Sequence, residues 1–157
     1  MSYQNFEKAT ELAKQCDGCF AGNGKPNTII SKASELLNIK FSRQNYKYFN
    51  EFGYLGFFGV EIFGIVKDTF SGSPETNCVE TALVDRQDFN LPKDWLPIYF
   101  FDDGYMGYLD YSQLNKDGEP PVIMAIYNGE KYIVVEKVAD DLGDFLLQLV
   151  EDQLSYQ

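Results

Sequence analysis

Hydrophobic spacing changes its period along this chain, and that order limits the folds open to it. Up to Gly53 the apolar residues recur at helical intervals, and from Tyr54 they gather into short aromatic and β-branched runs bounded by turn residues. The last stretch is helical again. Phe6, Ala9, Leu12, Ala13 and Cys16 predict an amphipathic helix over Ser2 to Gln15. Three glycines and Pro26 then break regular structure, so the segment from Asp17 to Pro26 reads as a hinge between helices. Asn27 or Thr28 can cap a second helix with the stripe Ile29, Ile30, Ala33, Leu36 and Leu37. Ser42 can cap a third with Tyr46, Phe49 and Phe52 inward, and Gly53 stands where a left-handed C-terminal cap belongs.

Tyr54 to Ile65 fits one glycine-bordered strand, and Phe70 to Glu75 a loop. Asn77 to Asp88 places Val79, Ala82, Leu83 and Arg86 on one helical face. Pro97 opens a strand through Phe101, and the Asp103-Gly104 pair turns it into Tyr105 to Leu109. Asn115 to Gly118 turns the chain again before a strand from Val122 to Ile126, and Asn128-Gly129 leads into Tyr132 to Glu136. Leu142, Phe145, Leu146, Leu149 and Val150 form a closing helix, with Asp140 or Asp141 near its positive end. Helices, then strands, then a helix predict a single α+β domain over residues 1–157: N-terminal helices packed on an antiparallel or mixed sheet, with a closing C-terminal helix. A chain of 157 residues can bury about 70% of its unfolded surface, enough for a core without staples.

Charge and a missing residue type narrow the chemistry. With 13 basic and 24 acidic residues the formal net charge is −11, and histidine is absent. Histidine triads, histidine metal sites and imidazole proton shuttles are excluded. The acidic balance disfavours nucleic acid, whose phosphates demand cationic side chains, and anionic membranes likewise; it favours a basic partner. The N-terminus lacks a basic and an apolar signal region, and no apolar run approaches the roughly 20 residues that span a bilayer. Three cysteines do not read as a disulfide framework, so reduced thiols in the cytoplasm are expected.

No motif supplies a reaction. Cys16 and Cys19 have zinc-knuckle spacing, but tetrahedral zinc wants four ligands and no second pair exists. A redox pair should open a helix after a strand; here it follows a helix. Gly22-Asn23-Gly24-Lys25 lacks P-loop spacing, and no Ser or Thr follows the lysine. Asp102, Asp103, Asp110, Asp117 and Glu119 crowd the hairpin region without the alternation of a calcium loop, so they read as turn residues and an acidic rim. No catalytic residue, metal or cofactor is expected. The aromatics are more informative: tyrosines interleaved with carboxylates between Tyr99 and Tyr111 suit a protein-binding face steered toward a basic partner. The candidate contact residues are Glu61, Asp85, Asp88, Asp102, Asp103, Tyr105, Tyr108 and Glu119.

Several segments occur in the order of a known family. Ile30 to Ser42 resembles the helix and following turn of the SMI1/KNR4 (SUKH) superfamily, with Tyr46, Phe49 and Gly53 at its Tyr, Phe and Gly positions. Gly59-Val60-Glu61-Ile62-Phe63-Gly64-Ile65 is similar to its first strand, and Thr81, Arg86 and Leu91-Pro92 to its next helix and turn. Gly104, Tyr108-Leu109-Asp110, Asp117 to Val122 and Phe145-Leu146 resemble its ending. The resemblance covers about residues 28–150, leaving the first helix and thiol loop at 1–27 outside. Ser42 stands where the family often has proline, and its doubled glycine is spread over Gly53 to Gly56. The resemblance implies a non-enzymatic bacterial immunity protein that binds and neutralises a cognate toxin, often a nuclease with a basic surface. The alternative it implies is a regulatory interaction or small-ligand module on the same fold. It fixes no oligomeric state.

Overall fold

The computed structural model describes residues 2–15, 18–57, 59–70 and 77–155. Cys16 and most of the expected loop at Phe70 to Glu75 lie outside the described residues. Helix α1 (Ser2–Gln15) is followed by strand β1 (Cys19–Ala21), helices α2 (Asn27–Leu37) and α3 (Arg43–Phe52), and strands β2 (Leu55–Phe57) and β3 (Val60–Ile62). Helix α4 (Cys78–Phe89) leads into strands β4 (Trp95–Phe100), β5 (Met106–Asp110), β6 (Val122–Tyr127) and β7 (Tyr132–Ala139), and helix α5 (Leu142–Ser155) closes the chain. The strands form one seven-stranded sheet in sequence order, every neighbouring pair antiparallel. The α+β expectation with a closing helix is met.

Three expectations need correction. The segment after Asp17 is no hinge: Cys19 to Ala21 pair with Phe57 to Leu55 as an edge strand. Gly22 then donates to the Tyr54 carbonyl (2.9 Å) and the Lys25 amide to that of Phe49 (3.0 Å). Lys25 is itself buried, its ammonium on Asp68 (2.9 Å) and the Val66 carbonyl (3.3 Å). The single strand expected at Tyr54 to Ile65 is a hairpin, because Gly59 (φ +81°) takes a conformation that L side chains resist. Strand β4 starts at Trp95, two residues before Pro97; the ladder shifts register between Pro97 and Tyr99, which accommodates a proline that cannot donate.

Caps explain where helices start. Ser42 accepts from the Asn45 amide and Asn77 from Val79 and Glu80, fixing α3 and α4. Neither Asn27 nor Thr28 caps α2; Pro26 does so through its carbonyl, which receives the Ile29 and Ile30 amides. Leu36 of its expected stripe is exposed, while Ile30, Ala33 and Leu37 are buried. Asp141 caps α5 by accepting from Asp144 (2.9 Å).

Antiparallel partners share a face, so the register sorts the sheet. Tyr99 and Phe101 meet Phe145 of α5, at 5.4 and 6.2 Å between ring centroids. Helix α1 packs on α5 through Phe6, whose backbone lies 2.8 Å from where a Gly143 side chain would begin. On the opposite face α4 crosses the sheet. Its first amide bonds the Gly64 carbonyl beyond β3 (2.9 Å), and its last residue, Phe89, packs on Tyr127 of β6 (5.0 Å).

Candidate protein-binding face

The eight candidate residues divide between surface and interior. Glu61, Asp88, Asp102 and Asp103 are exposed; Asp85 and Tyr105 are half-buried; Tyr108 and Glu119 are 2% and 3% exposed. The last two have no surface to offer a partner, which corrects the expectation. Tyr108 packs between Trp95 (5.1 Å) and Tyr132 (6.1 Å), and burial drives its phenol well above the ordinary range. Glu119 is a brace: one oxygen accepts the Gln44 amide (3.3 Å), tying the β5–β6 loop to α3.

The other acids and tyrosines of this stretch are also structural. Asp110, 3% exposed, accepts from Ser112 N (3.0 Å), Ser112 Oγ (2.6 Å) and Gln113 (2.6 Å), so it locks the turn after β5. The Tyr111 hydroxyl accepts from Ser42 N (3.1 Å) and Asn45 Nδ2 (2.6 Å), and burial pushes the phenol up to about 12. Tyrosines were expected to form the contact surface, yet they mainly hold the sheet to its helices.

What lies exposed beside the carboxylates is different. Cross-strand partners Phe100, Met106, Ala125 and Val134 make one row across β4, β5, β6 and β7 on the face that α4 partly covers, with Met106 half-buried and Ala125 buried between the exposed ends. Phe100 is 55% and Val134 50% exposed, with Phe89 at 42% where α4 ends. Continuing the Ile62–Tyr99 register by one residue sets Glu61 opposite Phe100 on that face. Asp103 and Gly104, both at positive φ, turn the chain beyond Phe100 and place Asp102 and Asp103 at the tip of the β4–β5 hairpin, beside the row. Asp85 sits on the sheet side of α4, near enough for its charge to raise both Tyr108 and Tyr132 after burial has done so. Its own carboxyl is raised, by burial first and the Asp88 charge second. The result is an apolar strip edged by carboxylates.

The signal that sequence reasoning missed was Ile133-Val134-Val135. An unbroken apolar run suggests a buried strand, but β7 is an edge strand and these three are 42%, 50% and 49% exposed.

Among the described residues no group of three or more His, Cys, Asp or Glu side chains is arranged to hold a metal ion. Cys78 is buried at the start of α4, and desolvation pushes its thiol far up, away from the thiolate that nucleophilic chemistry requires. No helix among them is long and apolar enough to cross a membrane. This is an α+β scaffold whose distinctive surface is an acidic, apolar-centred face. The sequence matches the family profile SUKH_5, described as SMI1-KNR4 cell-wall, over residues 21–151, and the chain belongs to the SMI1/KNR4 (SUKH) family. The match begins at Ala21, the last residue of β1, a few residues before the point where the resemblance read from sequence begins. No curated protein matches the sequence.

Proposed function

We propose that this chain is an immunity protein, acting in the cytoplasm, that binds a cognate bacterial toxin and neutralises it by occlusion, without catalysis. The observation that carries the reading is the set of exposed apolar side chains Phe89, Phe100 and Val134 on the face that also presents the exposed carboxylates Glu61, Asp88, Asp102 and Asp103. A nuclease-type toxin has a cationic cleft for phosphate, and a net charge of −11 draws such a surface in. The apolar strip then supplies the contact that slows dissociation, since apolar anchors rather than rim charges hold interfaces together. Membership of the family supports a protein partner.

The test is protection in cells. Co-expression with the toxin encoded beside it is expected to restore growth, and Phe100→Asp is expected to abolish that protection while the protein stays folded. Growth arrest that the wild-type chain fails to relieve would refute the proposal.

A further inference from the structure

The end of α4 meets the β6–β7 hairpin in an arc of aromatic rings that closes on a carboxylate. Tyr127 and Tyr132 are register partners on that hairpin, with ring centroids 5.1 Å apart. Phe89, the last residue of α4, packs on Tyr127 (5.0 Å), and Asp85 stands four residues before Phe89 on the same helix face. The arc returns to Tyr132, where the Asp85 charge is felt. Tyr108 and Trp95, both buried, back it at 6.1 and 6.0 Å from the Tyr132 ring. Neighbouring rings are inclined by 55° to 85°, so they stand as walls rather than as a flat stack.

The carboxylate in this arc is uncompensated. Asp85 is half-buried, and among the described residues no ion pair or hydrogen bond reaches its side chain. Burial and the Asp88 charge both oppose its ionisation. Asp85 and Asp88 also lie toward the C-terminal end of α4, where the helix's own partial charge is negative and cations are favoured. Arg86, the basic residue of that turn, is committed elsewhere, to the Leu37 and Lys93 carbonyls. Negative potential that this chain leaves unanswered therefore sits beside the exposed Phe89 ring and the half-buried rings of Tyr127 and Tyr132.

We infer that this arc is the anchor point for an arginine side chain of the basic partner, an assignment that rests on the reading of this face as the toxin surface. A guanidinium has a flat, weakly hydrated face that lies against an aromatic ring, and a fork of donors for a carboxylate, so one group answers both features. A lysine ammonium brings a point charge without the plane. An apolar side chain would cover Asp85 and leave its oxygens without a donor. Arginine is also among the residue types that dominate interface energies.

The experiment is an amide-resonance titration of the full chain with three blocked tripeptides: Gly-Arg-Gly, Gly-Lys-Gly and Gly-citrulline-Gly, the last keeping the arginine shape without its charge. Saturable shifts at the end of α4, along Tyr127 to Tyr132 and at the Trp95 indole are expected with the arginine peptide and not with citrulline. The lysine peptide should bind several-fold more weakly. Asp85→Asn should raise the midpoint about tenfold, the scale of a lost charge-assisted hydrogen bond. Phe89→Leu, which stays apolar but loses the ring face, should raise it about threefold. Absence of saturable shifts, shifts centred elsewhere, an equal response to citrulline or lysine, or an unchanged midpoint in folded Asp85→Asn overturns the assignment. Growth protection scores the toxin reading separately. Protection with a silent titration defeats the arginine anchor alone, and a positive titration without protection defeats the toxin reading alone.

Discussion

The most exposed structural dependence of this fold is a single hydroxyl. Tyr48 on α3 is 1% exposed and donates to the Ile62 carbonyl (2.9 Å) while accepting the Leu55 amide (3.0 Å). Leu55 and Ile62 are register partners in the β2–β3 hairpin, so the hydroxyl is inserted between them and joins both strands to the helix. Tyr48→Phe keeps the ring, its contacts with Phe49 (5.8 Å) and Phe52 (6.5 Å), and nearly all the buried area. It strands one backbone donor and one acceptor in the core. At about 1–3 kcal/mol for each unsatisfied buried group the ceiling is about 6 kcal/mol, and partial closure of the hairpin onto a direct bond brings the expectation to about 3 kcal/mol. For a domain of this size that lowers Tm by roughly 6–12 °C. Urea unfolding with an unchanged slope, read by Trp95 fluorescence and far-ultraviolet dichroism together, measures it. A loss below about 0.5 kcal/mol would show that the strands re-pair without the hydroxyl and would refute the reasoning.

Three further outcomes follow from the same contacts. Glu119→Gln is expected to stabilise the fold at neutral pH, because it removes a carboxylate charge that burial disfavours and the neighbouring Asp141 and Asp117 charges repel. The sign follows from the raised carboxyl: its folded pKa lies above the ordinary 4.5, so stability falls as pH rises from there through the folded value. Thermal melts from pH 4 to 8 should show that fall shrink in the variant; an identical profile would contradict it. Arg86 donates to the Leu37 carbonyl (2.9 Å) and the Lys93 carbonyl (2.6 Å), joining α2 to the connector before β4. Arg86→Ala should therefore cost about 2 kcal/mol in denaturant unfolding, with lysine rescuing little because it lacks the fork. Asn77→Ala removes the cap of α4 and should cost about 1 kcal/mol by the same measurement, whereas Asn77→Asp should retain most of it.

How far the fold was legible depended on local chemistry. Ser42, Asp103-Gly104 and Asn128-Gly129 act through their immediate neighbours, and each stands where its side chain or conformational freedom predicts; Gly53 does end α3 at positive φ, but with ψ −61° it is not the left-handed helical cap expected. Strand β1 was hidden because Cys19-Phe20-Ala21 becomes a strand only by pairing with residues more than thirty positions later. The proposed contact face was half legible. Glu61, Asp88, Asp102 and Asp103 lie exposed as their charge suggests. Tyr108 and Glu119 do not, since period and composition cannot reveal that Trp95 and Tyr132 close over one ring or that Gln44 receives the other carboxylate. Val134 was hidden for the converse reason: the same residues serve a central strand and an edge strand, and only the order of the sheet distinguishes them.

Capture of a basic toxin by the proposed acidic face is tested most directly by the association rate of the chain with the purified toxin domain, measured at low and physiological salt. Association is expected to be fast and to slow steeply with salt. The combined variant Glu61→Gln, Asp88→Asn, Asp102→Asn and Asp103→Asn should slow low-salt association at least about tenfold, with a much smaller change in dissociation. Association indifferent to salt and to those four charges would contradict it.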